Sequence, residues 1–220
     1  MIFFAWMIAV PLCAQRDLTK FMGIPVDGLK SEMIKKLKSK GFVNSEFGED
    51  VLTGEFNGTQ VRLHIVTNNN KVWRIMLSDV DEMSETGIRL RFNELCRQFR
   101  KNSNYWTPTD CTIADDEDIA YELAVNDKRY EAVFYQRTLT LDSVEMRSKL
   151  ADRILEKYTE EELNNPSEDV QKDIYEMSLQ CATELIMKKP VWFMINERSG
   201  KYYITMYYDN EYNKANGEDL

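Results

Sequence analysis

The sequence predicts an α+β protein built on antiparallel sheets with helices packed on one side. Three observations carry that expectation. Hydrophobic spacing switches between a period of two and a period of three to four, Asn/Gly/Ser pairs sit between the period-two segments, and strands come in runs rather than alternating singly with helices. The 220 residues are 43% hydrophobic and 30% charged, which supplies material for a buried core and too little bias for a disordered chain.

Taken in order, Phe21, Met22, Ile24, Pro25 and Val26 form an apolar approach segment, either a short edge strand or a staple onto the following helix. From Asp27 the spacing predicts a helix with Leu29, Met33 and Leu37 inward. Gly41 suits its left-handed cap, and Phe42 then folds back onto the last turn. Lys35, Lys36, Lys38 and Lys40 read as its solvated face, with lysines complementing the helix dipole. A meander follows. Val51 to Phe56 passes through Asn57-Gly58 into Thr59 to Thr67, with Val61, Leu63 and Ile65 on one face and Arg62 and His64 on the other. Asn68 to Asn70 turn the chain into Val72 to Val80, where Trp73, Ile75 and Leu77 are expected on a single face.

Ser84 predicts the cap of a second helix running to Lys101, with Ile88, Phe92, Leu95 and Phe99 inward. Residues 102–118 read as irregular. Ile119 to Val125 alternates and is expected to pair with Arg129 to Gln136 around Asn126-Asp127. Asp142-Ser143 opens a third helix with Met146, Leu150, Ile154 and Tyr158 inward. A fourth begins after Pro166-Ser167 with Val170, Ile174, Met177, Cys181 and Leu185 on one stripe, and Pro190 ends it. Val191 to Asn196 and Lys201 to Tyr208 form an aromatic hairpin around Ser199-Gly200. The implied organisation is a signal peptide at 1–14, a helix-plus-meander module at 15–101, a second α+β module at 102–210 and a flexible tail at 211–220.

Met1 to Gln15 carries no charged side chain and ends in small residues. It is shorter than the roughly 20 residues of a membrane span and reads as a secretory signal cut between Ala14 and Gln15, which predicts an exported protein, periplasmic or extracellular. Cys13 offers a second reading, a lipid anchor, but Leu12 stands where a lipoprotein peptidase needs a small side chain. No membrane span is expected. The formal net charge of -9 argues against a nucleic-acid partner, because a phosphate backbone would be repelled. Removing the signal leaves Cys96, Cys111 and Cys181. Cys96 and Cys181 fall on apolar helix faces, where a thiol behaves as a small core side chain, and a Cys96–Cys111 bridge would contribute ~3 kcal/mol. No pair of cysteines has zinc-ligand spacing, and no metal or cofactor is expected.

His64 is the one histidine of the chain and the first residue to weigh for catalysis, although nothing in the sequence supplies the serine elbow or cysteine partner it would need. Asp115 to Asp118 lacks the alternate spacing and glycine of a calcium loop, so that run, like Glu160 to Glu162, reads as solvated. The aromatic hairpin is more suggestive. Trp192, Tyr202, Tyr203, Tyr207, Tyr208 and Tyr212 place rings on both strand faces; one face must pack on helices, which leaves Trp192, Tyr203 and Tyr207, with His64, as binding candidates.

The segments FMGIPVDGLKSEMIKKLKSKGF at Phe21 to Phe42, GEFNG at Gly54 to Gly58 and VTNNNKVWRIMLSD at Val66 to Asp79 resemble a family of exported proteins of gut Bacteroidetes. That resemblance implies a helix followed by an antiparallel meander, loosely similar to beta-lactamase-inhibitor-like and outer-membrane-assembly lipoprotein modules, and brings no activity or catalytic residue with it. It also gives Asp142-Ser143-Val144 the look of an O-glycosylation acceptor. The leading functional expectation is a non-enzymatic exported module that binds a protein or glycan. The alternatives are an exported hydrolase of glycan or peptide using paired carboxylates, and a lipid-anchored envelope component.

Overall fold

The computed structural model describes residues 17–46, 48–137, 144–215 and 217. The signal-peptide cleavage at Ala14-Gln15, the lipid anchor at Cys13 and the cap at Asp142-Ser143 lie outside the described residues. In chain order the elements are β1 (Lys20–Phe21), β2 (Ile24–Pro25), α1 (Lys30–Lys38), β3 (Val43–Ser45), β4 (Gly48–Phe56), β5 (Thr59–Asn68), β6 (Lys71–Asp79), α2 (Glu85–Lys101), β7 (Tyr105–Trp106), α3 (Ile119–Val125), β8 (Glu131–Gln136), α4 (Val144–Lys157), α5 (Glu160–Asn164), α6 (Glu168–Met187), β9 (Pro190–Arg198) and β10 (Lys201–Asp209).

The fold is α+β. Eight strands make one antiparallel sheet in the order β3-β4-β5-β6-β10-β9-β8-β7. Each half of the chain starts at an outer edge and works inward, so the last strand of each half, β6 and β10, pair at the centre. The sheet therefore crosses the boundary expected at Lys101. Its hairpins form where the turn residues tolerate positive φ: Asn57 and Gly58 at 52° and 74°, Asn69 and Asn70 at 47° and 62°, Ser199 and Gly200 at 51° and 75°. These left-handed pairs match the right-handed twist of the flanking strands.

One face of this sheet is the core. Leu52, Leu63, Ile75, Leu77, Met206, Phe193 and Phe134 all point there and are buried beneath Met33 and Leu37 of α1 and Ile88, Phe92, Leu95 and Phe99 of α2. Ser84 accepts the Gly87 N–H at 3.2 Å as its cap position predicts, and α2 ends at Lys101. Gly41, with φ 98°, closes α1, and Phe42 turns inward onto that core. β1 and β2 form a separate two-stranded ladder that delivers Phe21 and Val26 to the same core.

Two expectations are corrected. Ile119–Val125 is a helix, not a strand. Asp118 caps it by accepting the Tyr121 N–H at 2.8 Å, and Ile119 and Leu123, one turn apart, meet the core while Tyr121 and Val125 are exposed. An alternating reading would have buried all four. Trp73 does not share a face with Ile75 and Leu77. Val66 pairs with Arg74 but Thr67 with Val72, so Trp73 is the extra residue of a bulge and Val72 takes the core position. Within the stretch 211–220 expected as a tail, the Asn213 amide donates to Asp27 Oδ1 at 2.6 Å and to the Val72 carbonyl at 2.9 Å.

Helices α4, α5 and most of α6 belong to a compact unit of their own. Within it, Tyr158 donates to Asp173 at 2.6 Å and Lys157 pairs with the same carboxylate at 2.8 Å. Glu160 to Glu162 form the first turn of α5, where Glu162 closes a capping box with Thr159, and Ser167 caps α6. Among the described residues no helix is long and apolar enough to cross a membrane.

Candidate functional site

The sheet face opposite α1 and α2 gathers all four sequence-predicted site residues. Because side chains alternate along a strand, Arg62 and His64 of β5, Arg74 and Met76 of β6, Tyr203, Tyr207 and Asp209 of β10, and Trp192 and Met194 of β9 project to this side. Cross-strand register lines several of them up: Val51 faces His64, His64 faces Met76, Met76 faces Tyr207, Tyr207 faces Trp192 and Trp192 faces Val133. Tyr203 lies further along β10, with the Arg198 guanidinium 5.2 Å from its ring centroid.

At the centre Trp192 and Tyr207 stack with centroids 4.0 Å apart and planes 16° from parallel. Arg74 lies 4.7 Å from the Tyr207 centroid, 5.5 Å from that of Trp192 and 4.3 Å from that of Trp73. Its Nε and Nη2 each donate to Asp209 at 2.6 Å, and the indole N–H of Trp192 donates to Asp209 Oδ2 at 3.0 Å. Arg74 and Trp192 thus both donate to the Asp209 carboxylate beside the stacked rings. Trp, Tyr, Met and Arg are the side chains that concentrate binding energy at interfaces. At the far edge Trp106 and Tyr135 add a second pair of rings, 5.9 Å apart.

His64 lies on this face between Val51 and Met76. Burial, then the positive charges of Arg62 and Lys30, hold its pKa below the ordinary 6.5, which favours the neutral imidazole. The buried carboxylates are committed elsewhere. Asp209 takes Arg74, and Asp79 on the core face takes Arg91 of α2 at 2.7 and 2.8 Å. Two carboxylates each saturated by an arginine do not make the acid–base pair that glycoside hydrolysis requires.

The remaining candidates resolve into scaffolding. Arg89 donates to the backbone carbonyls of Asp115 and Glu117, Tyr130 donates to Glu117 at 2.7 Å, and Asp118 caps α3, so the acidic run organises the loop before that helix. Cys96, Cys111 and Cys181 are free thiols. Burial pushes the Cys96 thiol up to about 12. Among the described residues no cluster of His, Cys, Asp or Glu could hold a metal ion.

A cleft of about 360 Å³ on the helix side escaped the sequence reading. Leu95, Gln98, Phe99 and Asn102, spaced to share one face of α2, form one wall; Phe56 and Asn57 at the tip of the β4–β5 hairpin form another; Met206 and Tyr208 of β10 lie between. Arg74 and Asp209 were also missed. A signal for them existed, since β6 (KVWRIMLSD) and β10 (KYYITMYYD) are both nine residues long, begin with Lys and end with Asp. Compared with protein-family models, curated proteins and solved structures, the chain has no significant match in any of the three.

Proposed function

We propose that this protein is an exported, non-enzymatic interaction module that presents the sheet face opposite α1 and α2 to a protein or glycan partner. One observation carries the reading: Trp192, Tyr203 and Tyr207 of the β9–β10 hairpin and His64, remote from them in sequence, share that face with Arg74, Met76 and Met194. Rings held by stacking and by a bidentate arginine lose little freedom on binding, which favours rigid anchoring of a partner. Export rests on the uncharged apolar stretch Met1 to Gln15, and kinship with the exported Bacteroidetes family rests on the quoted segments alone.

Affinity capture from the extracellular and envelope fractions of the source cells tests the binding face. Wild type is compared with Trp192→Ala, with Tyr203→Ala, which stands apart from the Arg74–Asp209 network, and with Leu90→Ala on the exposed side of α2. A partner retained by wild type and Leu90→Ala and lost by the two aromatic variants supports the reading. Equal capture by all four proteins removes it.

A further inference from the structure

We propose that Cys96 and Cys111 are the two halves of a redox-responsive disulfide, which on oxidation staples the loop between β7 and α3 to α2. Both thiols belong to the core on the helix side of the sheet, away from the proposed binding face.

One stripe of α2 holds this loop. At about 100° per residue, Arg89, Asn93, Cys96 and Arg100 fall within an arc of about 60° on the helix. The three polar members of the stripe each grip the loop, in reverse chain order. Arg89 donates to the carbonyls of Asp115 and Glu117. Asn93 accepts the Ile113 N–H at 2.9 Å and donates to the Ile113 carbonyl at 2.8 Å. Arg100 pairs with Asp110. The loop therefore runs antiparallel to α2 along the stripe, and Cys96 lies between the last two grips.

Register then selects its partner. Asn93 to Arg100 spans about 10 Å of helix, and Ile113 to Asp110 about the same length of extended chain. Position 96 accordingly faces 111–112. Of those two, Thr112 is exposed and turns its N–H and hydroxyl to Asp110 Oδ1, whereas Cys111 packs on the core cluster that contains Cys96. After burial, Cys111 is the largest influence raising the Cys96 pKa, so the two sulfurs stand within electrostatic reach. The one short contact of Cys111 Sγ is local, 3.5 Å from Thr109 Oγ1.

The oxidant is a low-molecular-weight disulfide. Cys111 is the partly exposed thiol and meets it first. The Cys111 thiolate attacks one sulfur of the oxidant and expels the other as a thiolate, leaving a mixed disulfide. Cys96 then gives its proton to solvent and attacks the Cys111 sulfur, and the second small thiol leaves. Two protein thiols are oxidised and one external disulfide is reduced to two thiols. Burial keeps Cys96 protonated, which slows the second step and not the first. Once formed, the bond lies against the core, where small reducing thiols have poor access.

The test incubates the full, reduced chain with oxidised glutathione and omits denaturant. Unreduced intact mass is expected to fall by two hydrogens, and tryptic peptides 92–97 and 102–128 are expected to be joined. Cys181→Ser, altered in the other compact unit, should form the same bond, and Cys111→Ser should lose it. The oxidised protein should unfold at a higher urea midpoint, its unfolding constant lowered about a hundredfold by closure of a loop of roughly 15 residues. Glutathione retained on Cys111 beside a free Cys96, a link from Cys111 to Cys181, or a bond that forms only in urea each overturns the assignment. A joined protein less stable than the reduced one overturns it as well, because the packing would then have to distort to admit the bond.

Discussion

Arg74 grips both carboxylate oxygens of Asp209 while its guanidinium lies over the ring of Tyr207. This pair joins β6 to β10, the strands at which the two halves of the sheet meet. The Asp209 side chain is 3% exposed and that of Arg74 21%, so neither charge is well solvated. Removing one partner of such a pair leaves the other buried and uncompensated. Arg74→Ala is therefore expected to cost about 3 kcal/mol of unfolding free energy, read as a lower urea midpoint. Arg74→Lys should recover only part of it, since an ammonium cannot make the paired contact. An unchanged midpoint for Arg74→Ala would show that the contact is not made in solution.

His64 gives stability a pH dependence of definite sign. Its pKa is lowered in the folded state from 6.5, by burial first and then by Arg62 and Lys30. Below 6.5 the unfolded chain takes up the proton before the folded chain does. The stability present above that pH is thus lost as pH falls through it, until the folded-state value is passed. His64→Gln should flatten this portion of the pH–stability curve, measured by urea titration at several pH values. A wild-type curve that rises on acidification in this range contradicts the environment described.

Thiol labelling reads the packing of α2. Cys96 is fully buried with its pKa pushed up to about 12, whereas Cys111 is partly exposed. Because the thiolate is the reactive form, native iodoacetamide treatment followed by peptide mass analysis should modify Cys111 and spare Cys96, which reacts once the protein is unfolded in urea. Early modification of Cys96 would mean that α2 opens locally.

Gly54 marks a close approach. A β-carbon there would stand 2.8 Å from Cδ1 of Phe42, a ring locked in the core. Gly54→Ala should lower stability by about 1–3 kcal/mol, the usual cost of overpacking, and thermal unfolding checks it. Wild-type stability in this variant would show that Phe42 has room to move.

Much of the architecture was legible because it is local. Asn57-Gly58, Asn69-Asn70 and Ser199-Gly200 turn where their own backbone preferences dictate, and α2 starts at the hydroxyl of Ser84. α3 was not legible. Ile119, Tyr121, Leu123 and Val125 satisfy an alternating pattern, and only the core that accepts Ile119 and Leu123 decides for the helix. Trp192, Tyr203, Tyr207 and His64 were identifiable as rings and an imidazole on non-core faces, while the cleft was not, because its walls come from β1–β2, β4, α2, β7 and β10.

The last residues of β6 and β10 draw the division most sharply. Both strands run nine residues from Lys to Asp, and sequence alone determined the strands, their turns and their aromatic content, since these follow from torsional preference and period. Only the tertiary structure decided where each aspartate points. The bulge at Trp73 shifts β6 by one residue, and a shift of one reverses the faces of a strand. Asp79 is thereby turned to Arg91 beneath α2, and Asp209 to Arg74 on the opposite face. A long-range strand pairing sets that choice, and it is made only when β6 and β10 meet.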